Sequence, residues 1–269
     1  MKTVLITGAS AGIGEETTKL FSQKGWNVAA TMRNPQKGIA LSKLHNVSVF
    51  QMDVKDIDSI KDCIDSVIQE FGKIDVLVNN AGVYTTDPLE VTPDEMVNNI
   101  IDTNIKGVIN VSKVILKHFR NNKSGTIINI SSIAGRTTFP FQTVYHSSKW
   151  AVEGLTEGLR YELQPLNIRL KLVEPGMVKT SLYNSLFDLS FDNYPNGYRS
   201  YFKKWYTSLM KNYKNGYFPA LDAKTIYKAA TSKNSKLRYT TDFGTRFILF
   251  LRSILPLSIF QKIVISQVG

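Results

Sequence analysis

The sequence of 269 residues predicts an α/β fold, a doubly wound parallel sheet of about seven strands with helices on both faces. Short β-branched or aliphatic runs alternate with longer stretches of helical period through the first 180 residues. A glycine-rich turn joins the first such run to the first helical stretch. The length suits one large domain over 1–269, because a single core grows to about 250–300 residues before chains divide.

Residues 3–7 open the series as a strand, followed by a helix over 13–24 that Gly25 closes. Strands at 27–31 and 47–51 precede a helix over 56–71 and a strand at 74–78. Thr92 and Pro93 predict an N-cap and a proline at the first helical position of one long helix over 93–120. A strand at 126–130, a helix over 147–164 and a strand at 168–173 complete the alternation, with a weaker seventh strand near 236–241. No repeat, low-complexity tract or linker interrupts this order before about residue 180.

Hydrophobic residues at 43% and charged residues at 20% exclude disordered and fibrous classes. The lone cysteine, Cys63, allows no internal disulfide and no cysteine cluster for zinc, and reads as a small helix residue. His45, His118 and His146 have no partners at metal-ligand spacing, so no metal is expected, and His146 reads as a surface or supporting residue beside Tyr145. The start, Met1 to Ile6, runs into the first strand without a signal-peptide pattern, so a reducing, cytoplasmic setting is expected. Net charge is +11, yet residues 1–197 hold 20 of each sign, and 198–269 hold 13 Lys+Arg against 2 Asp+Glu. Such a basic block suits an anionic partner or a solvated face; nucleic acid has no further support and is not expected.

Thr7-Gly8-Ala9-Ser10-Ala11-Gly12-Ile13-Gly14 places backbone N–H groups and the positive end of a helix at one spot suited to a pyrophosphate, as in a Rossmann-type fold. Gly8, Ser10, Ala11, Gly12, Ile13 and Gly14 are therefore candidate cofactor contacts. An NAD-binding chain commonly has an acidic residue about 20 residues later to meet the ribose 2′-hydroxyl. Here the stretch reads Ala30-Thr31-Met32-Arg33-Asn34, and Arg33 could pair with a 2′-phosphate, so NADP is predicted over NAD.

Tyr145 and Lys149 stand four apart at the start of a helix, on one face. A free phenol titrates near 10, so a tyrosine working near neutrality needs a cation beside it, and Lys149 supplies one. Ser132 follows the strand 126–130, where a substrate carbonyl should sit. The loop Thr7–Gly14, Asn79-Asn80-Ala81-Gly82, Asn104, Ser132, Tyr145, Lys149 and Pro175-Gly176 together resemble the ordered motifs of the short-chain dehydrogenase/reductase family over roughly residues 3–180. The resemblance implies an oxidoreductase that moves a hydride between nicotinamide C4 and a carbonyl or alcohol carbon. It implies proton exchange by Tyr145, a lowered phenol pKa and a held ribose through Lys149, a hydrogen bond from Ser132 to the reacting oxygen, and a relay water at Asn104. It further implies that Asp53 and Val54 meet the adenine, that Asn80, Ala81 and Gly82 line the adenosine side, and that Pro175, Gly176, Val178 and Thr180 flank the nicotinamide.

Eleven of the 29 aromatic residues lie between 187 and 218, so 181–220 reads as a substrate lid, or else as a packed helical cap, and a bulky lipophilic carbonyl or alcohol is the expected substrate. The tail, 244–269, is apolar and basic but broken by Arg252, Pro256, Gln261 and Lys262, which argues against a spanning helix. It suits a membrane surface, the substrate cleft or a subunit contact. The resemblance implies a homodimer or homotetramer. Reduction of 3-oxoacyl groups on a carrier, and a non-catalytic NADP-binding sensor, are the alternatives; the complete serine, tyrosine, lysine and asparagine set counts against the sensor.

Overall fold

Seven strands pair in parallel: β1 (Thr3–Thr7), β2 (Asn27–Met32), β3 (Val47–Gln51), β4 (Val76–Asn79), β5 (Gly125–Ile130), β6 (Ile168–Glu174) and β7 (Arg238–Thr240). They stand in the order β3-β2-β1-β4-β5-β6-β7, in a computed structural model that describes residues 1–187 and 189–266. The predicted doubly wound sheet is thus present, and its order reverses between β1 and β4. At such a reversal adjacent crossovers leave to opposite faces, opening a crevice beyond the carboxyl ends of the strands.

Alternation along each strand feeds two cores. Val4 and Ile6 of β1 join Phe21 of α1 (Gly12–Gln23) and Ile226 of α7 (Ala220–Thr231) on one face. Leu5 joins Ile64 of α2 (Ile57–Phe71) and Ile115 of α4 (Gly107–Asn121) on the other. Because both faces are covered, β1 carries no exposed residue and reads as an unbroken apolar and threonine run. Phe21 meets Trp26 and Tyr227 edge-on, with ring centroids 5.1 Å away in each case, and so pins α1 to α7. Cys63 is buried and burial pushes its thiol up to about 12, leaving it an inert core residue.

Three departures from the sequence reading have local causes. The long helix expected over 93–120 is α3 (Asp94–Ile100), a π-helical stretch Ile101–Lys106 and α4. Thr92 does not cap it: its hydroxyl turns back to Pro88 O at 3.0 Å, and Pro93 takes the cap position. Helix α5 (Thr143–Leu163) begins four residues before the expected 147, so Tyr145 and Lys149 both lie within its first two turns. Helix α7 was not anticipated; its Ala223, Ile226, Ala229 and Ala230 give it an apolar stripe, but one short of large side chains.

The aromatic segment forms α6 (Asn196–Lys214). Phe202, Trp205 and Tyr194 are buried against Tyr84, Tyr183 and Leu186, and Trp205 Nε1 donates to Thr86 Oγ1 at 3.3 Å. After β7 the tail forms α8 (Phe243–Ile254) and α9 (Leu257–Ser266). Asp188 of the expected lid and residues 267–269 of the expected tail lie outside the described residues.

Candidate active site

The crevice at the sheet reversal holds a cleft of about 520 Å³, of the size that takes a nucleotide-like ligand. Its floor is the turn from β1 to α1. Gly8 and Gly12 stand at φ +67° and +59°, in the left-handed region that L side chains avoid. A Cβ at Gly8 would also meet Ala81 Cα at 2.8 Å, and one at Gly12 would meet Thr180 at 3.1 Å. Ala11, at the N-cap of α1, offers no side-chain hydrogen bond, so the first-turn N–H groups remain for an anionic ligand.

Gly8, Ser10, Ala11, Gly12 and Ile13 line the cleft. Gly14 does not; it sits behind the wall, where Gly8 O and Asn80 Nδ2 occupy the space a side chain would need. Asn80 spends its amide on the loop itself, donating to Thr7 O at 2.9 Å and Gly8 O at 3.0 Å, while Thr7 Oγ1 accepts from Asn80 N and Ala81 N. The chain after β4 is thereby a brace for the turn as well as cleft wall. Arg33 is exposed at the end of β2 and lines the cleft with Asp53, Val54 and Lys55; it makes no ion pair among the described residues.

At the other end, Ala81, Gly82, Pro175, Gly176, Val178 and Thr180 join Ser132, Tyr145 and Lys149 on the wall. Ser132 is extended, and its hydroxyl accepts from Ala134 N at 3.1 Å, which fixes it at the start of a short 3-10 turn. Tyr145 is buried between Ser132 and Tyr84, whose ring centroid is 4.9 Å away edge-on. Lys149 Nζ donates to Ile130 O at 2.9 Å and lies 5.8 Å from the Tyr145 ring centroid. Burial pushes the Tyr145 phenol up to about 12, against a smaller lowering by the Ser132 hydroxyl. Burial likewise lowers Lys149 to about 8, with the Glu153 carboxylate opposing it. For the phenol, desolvation therefore outweighs the acidifying effect that the sequence reading gave to Lys149.

Asn104 lies in the π-helical stretch, buried and off the cleft wall. Its Nδ2 donates to Val83 O at 2.9 Å and to Ser148 Oγ at 3.0 Å, and its Oδ1 accepts from Val83 N at 2.8 Å. It thus ties the chain after Gly82 to the helix that carries Tyr145 and Lys149. Buried His146 accepts from Phe139 N through Nδ1 at 3.4 Å, and burial lowers it to about 4, so it is a neutral packing residue.

Several contributors escaped the sequence reading. Tyr84 and Tyr183 cage Tyr145, with their own ring centroids 4.8 Å apart. Tyr217 OH accepts from Gly176 N at 3.0 Å and donates to buried Asp222 Oδ1 at 3.1 Å, latching the Pro175-Gly176 turn to α7. Tyr217→Phe is expected to cost about 1–3 kcal/mol, because it strands the buried Gly176 N–H and leaves Asp222 Oδ1 only the Thr241 hydroxyl; urea unfolding measures it. Among the described residues, none of the eleven aromatics between 187 and 218 lines the cleft; Phe202 and Trp205 seat α6, while Ser181, Leu182 and Tyr183 of the expected lid stand on the cleft wall.

The model of the family described as short chain dehydrogenase matches residues 2–189. The chain belongs to the short-chain dehydrogenase/reductase family. It is similar to the uncharacterised oxidoreductase YusZ of Bacillus subtilis, 37% identical over an alignment that covers 97% of this chain and 96% of that one. It is 34% identical to the 3-ketodihydrosphingosine reductase of Bacteroides thetaiotaomicron, over 87% of this chain and 86% of the relative. The solved structure of ElxO with NADP bound covers 91% of this chain and 99% of that one, at 34% identity and a TM-score of 0.75. This short-chain dehydrogenase/reductase is accordingly an oxidoreductase that uses a nicotinamide cofactor and acts on a small molecule. The bare helix start, the two left-handed glycines and the cleft beyond them suit the pyrophosphate of that cofactor.

Proposed function

We propose that the chain is an NADP-dependent carbonyl reductase or alcohol dehydrogenase for bulky lipophilic substrates. The observation that carries the reaction is the placement of the Tyr145 hydroxyl beside Ser132 and Lys149 at one end of a dinucleotide-sized cleft. When bound, the nicotinamide supplies or accepts the hydride. Ser132, held by Ala134 N–H, orients the reacting oxygen. Tyr145, kept protonated by burial, donates the proton during reduction, and charged Lys149 offsets the negative charge left on the phenol oxygen. Asn104 keeps Val83 and helix α5 in register with that pair.

Support for NADP comes from Arg33, which lines the cleft beyond β2 and makes no ion pair among the described residues, so its cation suits a 2′-phosphate. Support for a lipophilic substrate comes from Val83, Tyr84, Leu182 and Tyr183 around the catalytic end, and from the lipid ketone in the name of the Bacteroides relative. A panel of ketones, aldehydes and alcohols, followed by nicotinamide absorbance with NADPH and NADH, tests both points. Arg33→Ala is expected to raise the KM for NADPH about 10–100-fold, the worth of one charge-assisted pair, and to leave that for NADH unchanged. Equal affinity of the unaltered chain for the two nucleotides refutes the assignment.

A further inference from the structure

The last quarter of the chain carries surface that the cleft does not use. Helix α8 turns Thr245 and Leu249 into the body and presents Phe243, Phe247, Phe250 and Ile254 outward, each at least 49% exposed. Their spacing of four, three and four puts them on one stripe, where the rings of Phe243 and Phe247 stack at 6.4 Å. Beyond Leu255-Pro256, α9 buries Phe260 under the Arg252 guanidinium, 5.7 Å from its ring, and leaves Leu257, Ile259, Ile263 and Ile265 at 43–55% exposure. A helix that is apolar on nearly every side is stable only against something else. Eight large apolar side chains thus face outward between residues 243 and 265.

Charge selects the occupant. Residues 198–269 hold 13 Lys+Arg and 2 Asp+Glu, and neither carboxylate faces outward. Asp222 is buried, while Asp242 caps α8 by accepting from Thr245 N at 2.8 Å and buries its other oxygen. Arg246 and Lys262 are exposed on the two apolar helices. A second copy of the chain would bring Arg246 and Lys262, which make no ion pair among the described residues, against a surface of the same charge, whereas an anionic lipid surface offers apolar depth and opposite charge together. With 12 and 10 residues the helices run about 18 and 15 Å, short of the roughly 30 Å hydrocarbon core, and no described helix is long and apolar enough to cross it.

We propose that α8 and α9 dock the protein on an anionic membrane surface, with the phenylalanine stripe buried at the level of the headgroups. The start of α8 packs on Gly176, where Asp242 Oδ2 would lie 2.7 Å from an added Cβ, so docking brings one wall of the cleft close to the lipid. The inference goes beyond the substrate reading and rests on this surface alone.

Flotation of the full chain with vesicles of phosphatidylcholine, with and without phosphatidylserine, tests it. Binding is expected for the phosphatidylserine vesicles, falling steeply with salt. It should drop at least tenfold when Phe243→Ser, Phe247→Ser and Phe250→Ser are combined, with NADPH affinity and the melting temperature unchanged. Should that variant fold poorly, Arg246→Glu with Lys262→Glu keeps the apolar stripe and is expected to lower binding by well over tenfold, since each basic residue contributes roughly fivefold. Failure to float at low salt overturns the proposal, as does binding indifferent to both variants. So does a concentration-dependent dimer that the serine variant dissolves, which assigns the stripe to a second copy. Lipid binding by a chain that rejects lipophilic ketones would sink the substrate reading and leave this one standing.

Discussion

Tyr145→Phe is expected to lower kcat by about 10²–10⁴-fold, the usual worth of a positioned proton donor. The change removes one oxygen and keeps the ring that packs edge-on to Tyr84 at 4.9 Å, so the fold, the melting temperature and NADPH affinity should not move. The loss should fall on kcat and kcat/KM alike, because the hydroxyl acts on charge that develops during the reaction. Single-turnover absorbance at 340 nm, with cofactor affinity from fluorescence titration, separates the two effects. Turnover within a few-fold of the unaltered chain would falsify the role given to this phenol.

Raising the pH through about 8 is expected to lower kcat/KM for carbonyl reduction, approaching tenfold per unit beyond that point. The sign follows from two buried groups. Burial lowers Lys149 to about 8, so its charge is complete well below that pH and is lost above it. Burial pushes Tyr145 up to about 12, so the phenol keeps its proton across the same window and cannot itself cause the fall. What disappears is the cation that offsets charge on the phenol oxygen when the proton leaves. Lys149→Met should therefore reduce kcat/KM by about 10²-fold or more at neutral pH and remove the step near 8. A variant that keeps the step assigns it to another group.

Much of this was legible in order along the chain because the informative residues are local. Gly8, Gly12, Arg33, Ser132, Tyr145 and Lys149 each stand at a strand end or helix start, where position in sequence fixes position in space. The residues that escaped notice act across long separations. Tyr84 meets Tyr183 from 99 positions away, and Tyr217 OH accepts from Gly176 N at 3.0 Å across 41. Neither pairing leaves a periodic trace. The aromatic run after β6 left a lid and a packed cap both open, because composition records how many rings there are and not which way they turn: Phe202 meets Phe141, and Tyr194 and Trp205 pack in one cluster with Tyr84, while Leu182 and Tyr183 line the cleft. Helix α7 hid because alanines supply three of the four residues of its stripe.

The π-helical stretch Ile101–Lys106 has a bearing on how this molecule could change. An added residue in a helix turns everything after it by about 100°. Here that offset aims Asn104 at Val83 while letting Val111, Ile115 and Phe119 of α4 still meet the sheet. Shortening the stretch by one residue would restore an ordinary helix at the expense of one alignment or the other. The irregular turn therefore works as a phase adjuster between two rows of side chains that a regular helix could not satisfy together.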